Sequence, residues 1–101
     1  MIKLSDRLKA IADEIEKGEA VADIGTDHGF LPVFLWESRI SPKVIMTDIS
    51  RGSLKKAEEN CLNMYPEVSF DLRLGNGLGV IAPAEVDCVV IAGMGGTIRG
   101  S

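Results

Sequence analysis

Short apolar runs that end in an acid or a glycine and then give way to a different period constrain this chain more than any other feature. Ala20-Val21-Ala22-Asp23-Ile24 stops at Gly25, Val44-Ile45-Met46-Thr47 stops at Asp48, and Val86 to Ala92 runs into Gly93-Met94-Gly95-Gly96. Runs this short with turn residues at their ends read as buried strands. A further run, Val68 to Leu74, is less apolar, reads as a strand nearer an edge, and is broken by Gly75-Asn76-Gly77. Between the runs the period is helical. Leu4, Leu8, Ile11 and Ile15 recur at helix spacing, with Ser5 as N-cap and Gly18 as the stop. Leu31 to Ile40 is apolar, carries Pro32 in its first turn and is ended by Pro42. Leu54, Ala57, Cys61 and Met64 form one face of a helix whose other face is charged, with Ser50 as its N-cap.

Strand, helix, strand, helix, strand, loop, strand is the order of a parallel α/β sheet with right-handed crossovers. Near-continuous apolar strands predict a sheet covered on both faces. With 101 residues there is room for one small domain, 1–101, and no linker is visible. The reading is therefore one half of a doubly wound sheet, of about four parallel strands in the order 3-2-1-4 with flanking helices. The chain stops five residues after Gly96, which predicts the front half of a longer protein.

Charge and composition narrow the partners. The net charge is −4 and only 5% of residues are aromatic, so the chain lacks the basic, base-stacking surface usual for nucleic-acid binding. Two cysteines, Cys61 and Cys88, are too few for a disulfide framework and read as buried thiols. The N-terminus lacks the apolar stretch of a signal peptide, and no apolar run is long enough to cross a membrane. The expectation is a cytoplasmic, membrane-free protein.

The chemistry gathers at the carboxyl ends of the strands, where open α/β sheets bind ligands. Asp23-Ile24-Gly25-Thr26-Asp27-His28-Gly29 spaces its glycines as G-x-x-x-G rather than G-x-G-x-x-G, and carries two acids. Acid at this turn suits a cationic or hydroxyl-rich ligand and opposes a pyrophosphate, which argues against a nicotinamide dinucleotide. Asp48 follows Gly25 by 23 residues and ends the second strand, where a carboxylate can accept both hydroxyls of a ribose. Ser50 can cap the next helix, which frees Asp48 for that role. Asn76 offers a donor and an acceptor to an adenine edge, and the glycines of 93–96 expose backbone beside the same crevice. Each motif alone has a plain structural reading as a turn, a cap or a flexible loop. Their placement on four successive strand ends is what points to a site. His28, the single histidine, reads as structural rather than as a base.

These motifs resemble those of the class I S-adenosylmethionine-dependent methyltransferases. Asp23-x-Gly25-x-x-x-Gly29 resembles their first motif, Asp48 their ribose acid, Asn76 their adenine contact, and Ala92-Gly93-Met94-Gly95-Gly96 their fourth motif. Asp-Ile-Gly-Thr-Asp-His-Gly with Ala-Gly-Met-Gly-Gly, and the opening Leu4-Ser5-Asp6-Arg7-Leu8, are similar to the bacterial tRNA (adenine-22-N1)-methyltransferase family. The resemblance implies a Rossmann-like methyltransferase half-domain and S-adenosylmethionine as cofactor. It implies donor contacts from Asp23, Gly25, Thr26, Asp27, His28 and Gly29 in the first loop. Asp48 and Ile49 would follow in the second, Asn76 and Gly77 in the third, and Ala92, Gly93 and Met94 in the fourth. It implies methyl transfer to N1 of a tRNA adenine in the complete enzyme, with no side chain assigned as a catalytic base. The family's later strands and helical RNA-holding domain have no counterpart here, so tRNA binding by this chain is expected to be weak or absent. The rival reading is a non-catalytic nucleotide-binding or self-assembling half-domain. In the class, strand order is 3-2-1-4-5-7-6, so a chain ending after strand four leaves Val86 to Ala92 as an open apolar edge. That predicts a homodimer, its seam strand four paired with its own copy or, alternatively, an N-terminal or C-terminal segment exchanged between chains.

Overall fold

The computed structural model describes residues 2–91 and 96–99. Its elements are α1 (Asp6–Ala12), β1 (Val21–Ile24), α2 (Phe30–Glu37), β2 (Val44–Asp48), α3 (Arg51–Met64), β3 (Asp71–Leu74), a 3-10 turn (Gly77–Val80), β4 (Cys88–Ile91) and β5 (Gly96–Arg99). The sheet order is β3-β2-β1-β4-β5. Strands β1 to β4 are mutually parallel, in the order expected, and β3 lies at the edge.

The fifth strand was not expected. It pairs antiparallel with β4, Cys88 against Arg99 through Ile91 against Gly96. Strand β4 is therefore not an open edge, and the proposed seam of β4 against its copy has no free backbone to use. Val90 on that strand is fully buried.

Pleating fixes which residues share a face. Val21, Val44 and Cys88 are in register, as are Asp23, Met46 and Val90 one pleat further on. Ile11, Leu31 and Leu35 pack with Val21, Val44, Cys88 and Val90, while Val33, Ala57 and Cys61 pack with Met46. All three helices therefore lie on one face of the sheet. On the other face the 3-10 turn comes against Ile24, where a Cβ on Gly77 would fall 2.1 Å from Ile24 Cδ1. Flanking helices are present as expected; among the described residues they cover one face, and on the other the glycine-rich stretch after β3 makes a turn.

Helix ends follow local chemistry. The Ser5 side chain accepts from Leu8 N and that of Ser50 from Ser53 N, so both predicted caps are present. Helix α1 ends at Ala12, well before Gly18, and tightens into i→i+3 bonds from Glu14 N to Ile11 O and Ile15 N to Ala12 O. Asp13, Glu14 and Glu16 place negative charge where a helix C-terminus repels it. Helix α2 ends at Glu37 because Arg39 turns left-handed (φ 60°) and Ile40 N bonds back to Leu35 O, a Schellman-type closure.

Candidate functional site

The first loop is held in place by backbone bonds. Thr47 O accepts from both Gly25 N (3.0 Å) and Thr26 N (2.9 Å), and the Thr47 hydroxyl donates to Asp23 O. Gly25 and Asp27 both take positive φ, 70° and 57°. At Gly25 the space beside the backbone is open, with nothing within 4 Å of a built Cβ. Gly29 is the opposite case: at φ 76° a Cβ would sit 3.2 Å from Ala57 Cβ and 3.3 Å from Met46 Sδ. The loop thus lies flat on α3 and β2, and Asn60 Nδ2 ties it down through His28 O at 2.9 Å.

Asp48 joins the first loop to the second. Its Oδ1 accepts from Ser50 N at 2.9 Å, and its Oδ2 from Asp27 N at a longer 3.4 Å. Ser50 does cap α3, as expected, but Asp48 is not free: it supports both loops while ending β2. The third loop arrives beside it, since Gly75 N donates to Asp48 O at 2.9 Å. Arg73 fixes that loop from behind, reaching Asp71, Val80 O and Glu85. These bonds raise the Arg73 guanidinium's pKa above its usual range and lower that of the Glu85 carboxyl.

A cleft of about 220 Å³ opens over the first loop, lined by Arg7, Leu8, Asp23, Gly25, Thr26, Asp27, His28, Phe30 and Leu31. Asp23 is its buried floor, only 3% exposed. Burial pushes the Asp23 carboxyl up to about 7. The nearby Thr26 hydroxyl draws it down, and the Asp48 carboxylate adds to the rise. Asp23 Oδ1 and Thr26 Oγ1 are both buried and neither makes a hydrogen bond of good geometry, although the hydroxyl lies near enough to the carboxyl to steady it. Buried polar atoms are nearly always satisfied, so two orphans in one cleft mark a place that a polar or cationic ligand group fits.

The sequence-predicted residues are brought together unequally. Asp23, Gly25, Thr26, Asp27 and His28 line the cleft, Gly29 is buried beneath it, and Asp48 buttresses it through Asp27 N. Asn76 caps the 3-10 turn through its backbone, with Gly77 buried behind it. Ile49 is 79% exposed and is not among the residues lining the cleft. Ala92, Gly93 and Met94 lie outside the described residues. Arg7 and Phe30 were missed. A cation in the first turn of a helix opposes the macrodipole, and that was the available signal for Arg7. Among the described residues no cluster suited to a metal ion is present, and no helix is long and apolar enough to cross a membrane.

Comparison with known proteins follows the geometry. The chain is 35% identical over 97 residues, 96% of its length, to the tRNA (adenine(22)-N(1))-methyltransferase of Bacillus subtilis (strain 168). It superposes on the crystal structure of the B. subtilis tRNA methyltransferase TrmK with a TM-score of 0.83, at 32% identity, covering 90% of this chain and 39% of that one. It is likewise similar to Streptococcus pneumoniae Sp1610 in complex with S-adenosyl-L-methionine, with a TM-score of 0.80 at 27% identity, covering 88% of this chain and 42% of that one. The chain spans about two fifths of the length of these relatives, 41% of the curated one. The family described as Methyltransferase domain matches residues 4–100. With nearly every residue inside that match, and a cleft at the carboxyl end of its first strand, the chain belongs to the methyltransferase domain family.

Proposed function

We propose that this chain is the S-adenosylmethionine-binding portion of a tRNA adenine-N1 methyltransferase. In the complete enzyme a methyl group moves to N1 of an unpaired adenine in tRNA. The observation that carries the reading is the cleft floor: a buried Asp23 carboxyl with an orphaned oxygen, beside an orphaned Thr26 hydroxyl and a Gly25 backbone open to approach. The likeness to the two tRNA methyltransferases and to the donor-bound streptococcal protein supports it.

In this reading S-adenosylmethionine supplies a methyl group activated on a sulfonium. The residues of the chain orient and balance charge. Asp23 and Asp27 place carboxylates where a cationic donor has its sulfonium and amine. Asp48 takes the ribose hydroxyls and Asn76 faces the adenine. The floor is short of water, so an ionised Asp23 there acts on a cation more strongly than it would in solvent. Transfer moves one positive charge from sulfur to the methylated ring, and the carboxylates face both ends of that change. The rest of the catalysis is alignment, an in-line approach of N1 that a rigid first loop serves. N1 lies on the Watson–Crick edge, so the base must leave any pair before reacting.

The same reading places the protein in the cytoplasm, where tRNA is modified. It also keeps a homodimer, with the seam moved from β4 to the outer edge of β5, where Ile98 is exposed. Calorimetry with S-adenosylmethionine, its demethylated product and NAD tests the core of the proposal. Binding of the first two and not of NAD is expected; NAD binding alone would replace the reading. Light scattering tests the dimer, and a monodisperse monomer at high concentration would remove it.

A further inference from the structure

Phe30 is an anomaly on its helix. The residues that follow it, Leu31, Pro32, Val33 and Leu35, are buried, yet Phe30 is 39% exposed at the mouth of the cleft. Its ring is stacked on that of His28, with centroids 5.4 Å apart and planes 21° from parallel. The His28 side chain is itself 42% exposed. The two rings do not move independently of the site. Gly29 between them is packed against Ala57 and Met46, and His28 O is held by Asn60. The result is a planar aromatic platform on a fixed backbone, open to solvent and adjoining Asp23 and Thr26.

We infer that the His28–Phe30 stack is the platform on which the base to be methylated rests, an unpaired purine, with Arg7 on the same rim for its backbone phosphate. The inference deepens the proposed function and rests on it. The order of groups along the crevice carries it. Asp48 and Gly75 meet through Asp48 O, which brings the third loop, with Asn76, beside Asp48. Asp48 touches the cleft through Asp27 N and is not among its lining residues. The donor's nucleoside end therefore belongs to Asp48 and Asn76 and its cationic end to Asp23, which leaves the stack beyond the cationic end for a second planar group. Aromatic faces accept any base, and stacking there is a large contribution in single-strand binding. Arg7 is exposed, lines the same cleft and makes no ion pair among the described residues, as a cation reserved for an anion would. The carboxyl of Asp27 lies 3.7 Å from His28 Nε2, close enough to orient the imidazole without covering its face.

The test uses the chain saturated with S-adenosylhomocysteine and titrated with an RNA trinucleotide carrying central 2-aminopurine, whose emission is quenched by stacking. Quenching is expected with the native chain. Phe30→Leu, which keeps apolar bulk without an aromatic face, should weaken binding about five-fold or more, and His28→Ala should do likewise. Phe30→Leu should keep its donor affinity by calorimetry. A trinucleotide with an abasic central site should bind the native chain more weakly by a similar factor, a comparison that needs no variant to fold. Arg7→Ala should lower the slope of log affinity against log salt by about 0.7. No quenching by a native chain that does bind the donor would overturn the platform and leave the proposed function standing. Loss of donor affinity in Phe30→Leu at unchanged melting temperature would assign the platform to the donor instead, and also overturn it. A native chain that binds no donor would overturn the proposed function, and the platform with it.

Discussion

Replacing Asp23 by Asn separates what the cleft needs for stability from what it needs for binding. Asparagine is close in shape to the protonated acid and cannot ionise. The Asp23 carboxyl is raised from 3.8 to about 7 by burial, a shift of about three pK units, each worth about 1.4 kcal/mol. The sign follows from linkage. A group whose folded pKa exceeds its unfolded value lends stability in full below the unfolded pKa and loses it as pH rises through the folded one. Between pH 4 and pH 8 the native chain should therefore lose on the order of 4 kcal/mol through this carboxyl, and Asp23→Asn should lose none of it. Urea unfolding of both proteins at several pH values reads the difference directly, with other titrating groups cancelling. The variant should match the native chain at pH 4 and exceed it increasingly toward pH 8. Donor affinity should move the other way. It should rise in the native chain as pH climbs through about 7 and stay weak and flat in the variant. A stability difference that does not change with pH would refute the reasoning, because the carboxyl would then ionise as it does in water.

Three further outcomes follow from the same geometry. Asp48→Ala should weaken donor binding by about 1.5–3 kcal/mol by calorimetry, and should also lower the melting temperature, since Ser50 N and Asp27 N lose their acceptor. Asp48→Asn should keep most of that stability. Gly29→Ala forces a Cβ against Ala57 and Met46 at a positive φ and should cost about 1–3 kcal/mol in urea unfolding; a change within about 0.5 kcal/mol would contradict the packing. Arg73→Ala should lower the melting temperature and speed hydrogen exchange at Gly79 N, whose bond to Asn76 O closes the turn that Arg73 braces; unchanged exchange would mean the loop holds without it.

The parts of the fold that were legible in the sequence rest on local chemistry. Apolar runs gave the four parallel strands, Ser5 and Ser50 gave the caps, and the acids at strand ends gave Asp23 and Asp48. What was not legible depends on contacts distant in sequence. Gly96-Thr97-Ile98-Arg99 has a single large apolar residue and so does not declare itself a strand, and becomes one by pairing with β4. Arg7 and Phe30 reach the cleft because α1 packs on α2 over the first loop, which no spacing within either helix reveals. Asp48 was read as free once Ser50 was assigned as cap; in the structure a cap and an aspartate support share one turn.

That shared turn sets a limit on the ligand in terms of valence. A carboxylate has about four lone-pair sites, and Ser50 N and Asp27 N occupy two of those on Asp48. Two are left, and a ribose presents two hydroxyl donors. A 2′-deoxy or 3′-deoxy analogue of the donor would leave one site unfilled in a buried place, and a 2′-phosphate would bring acceptors to a group that has only acceptors to offer. Under the proposed function, the carboxylate that ties the first loop to α3 counts hydroxyls, and two is the number at which it is saturated.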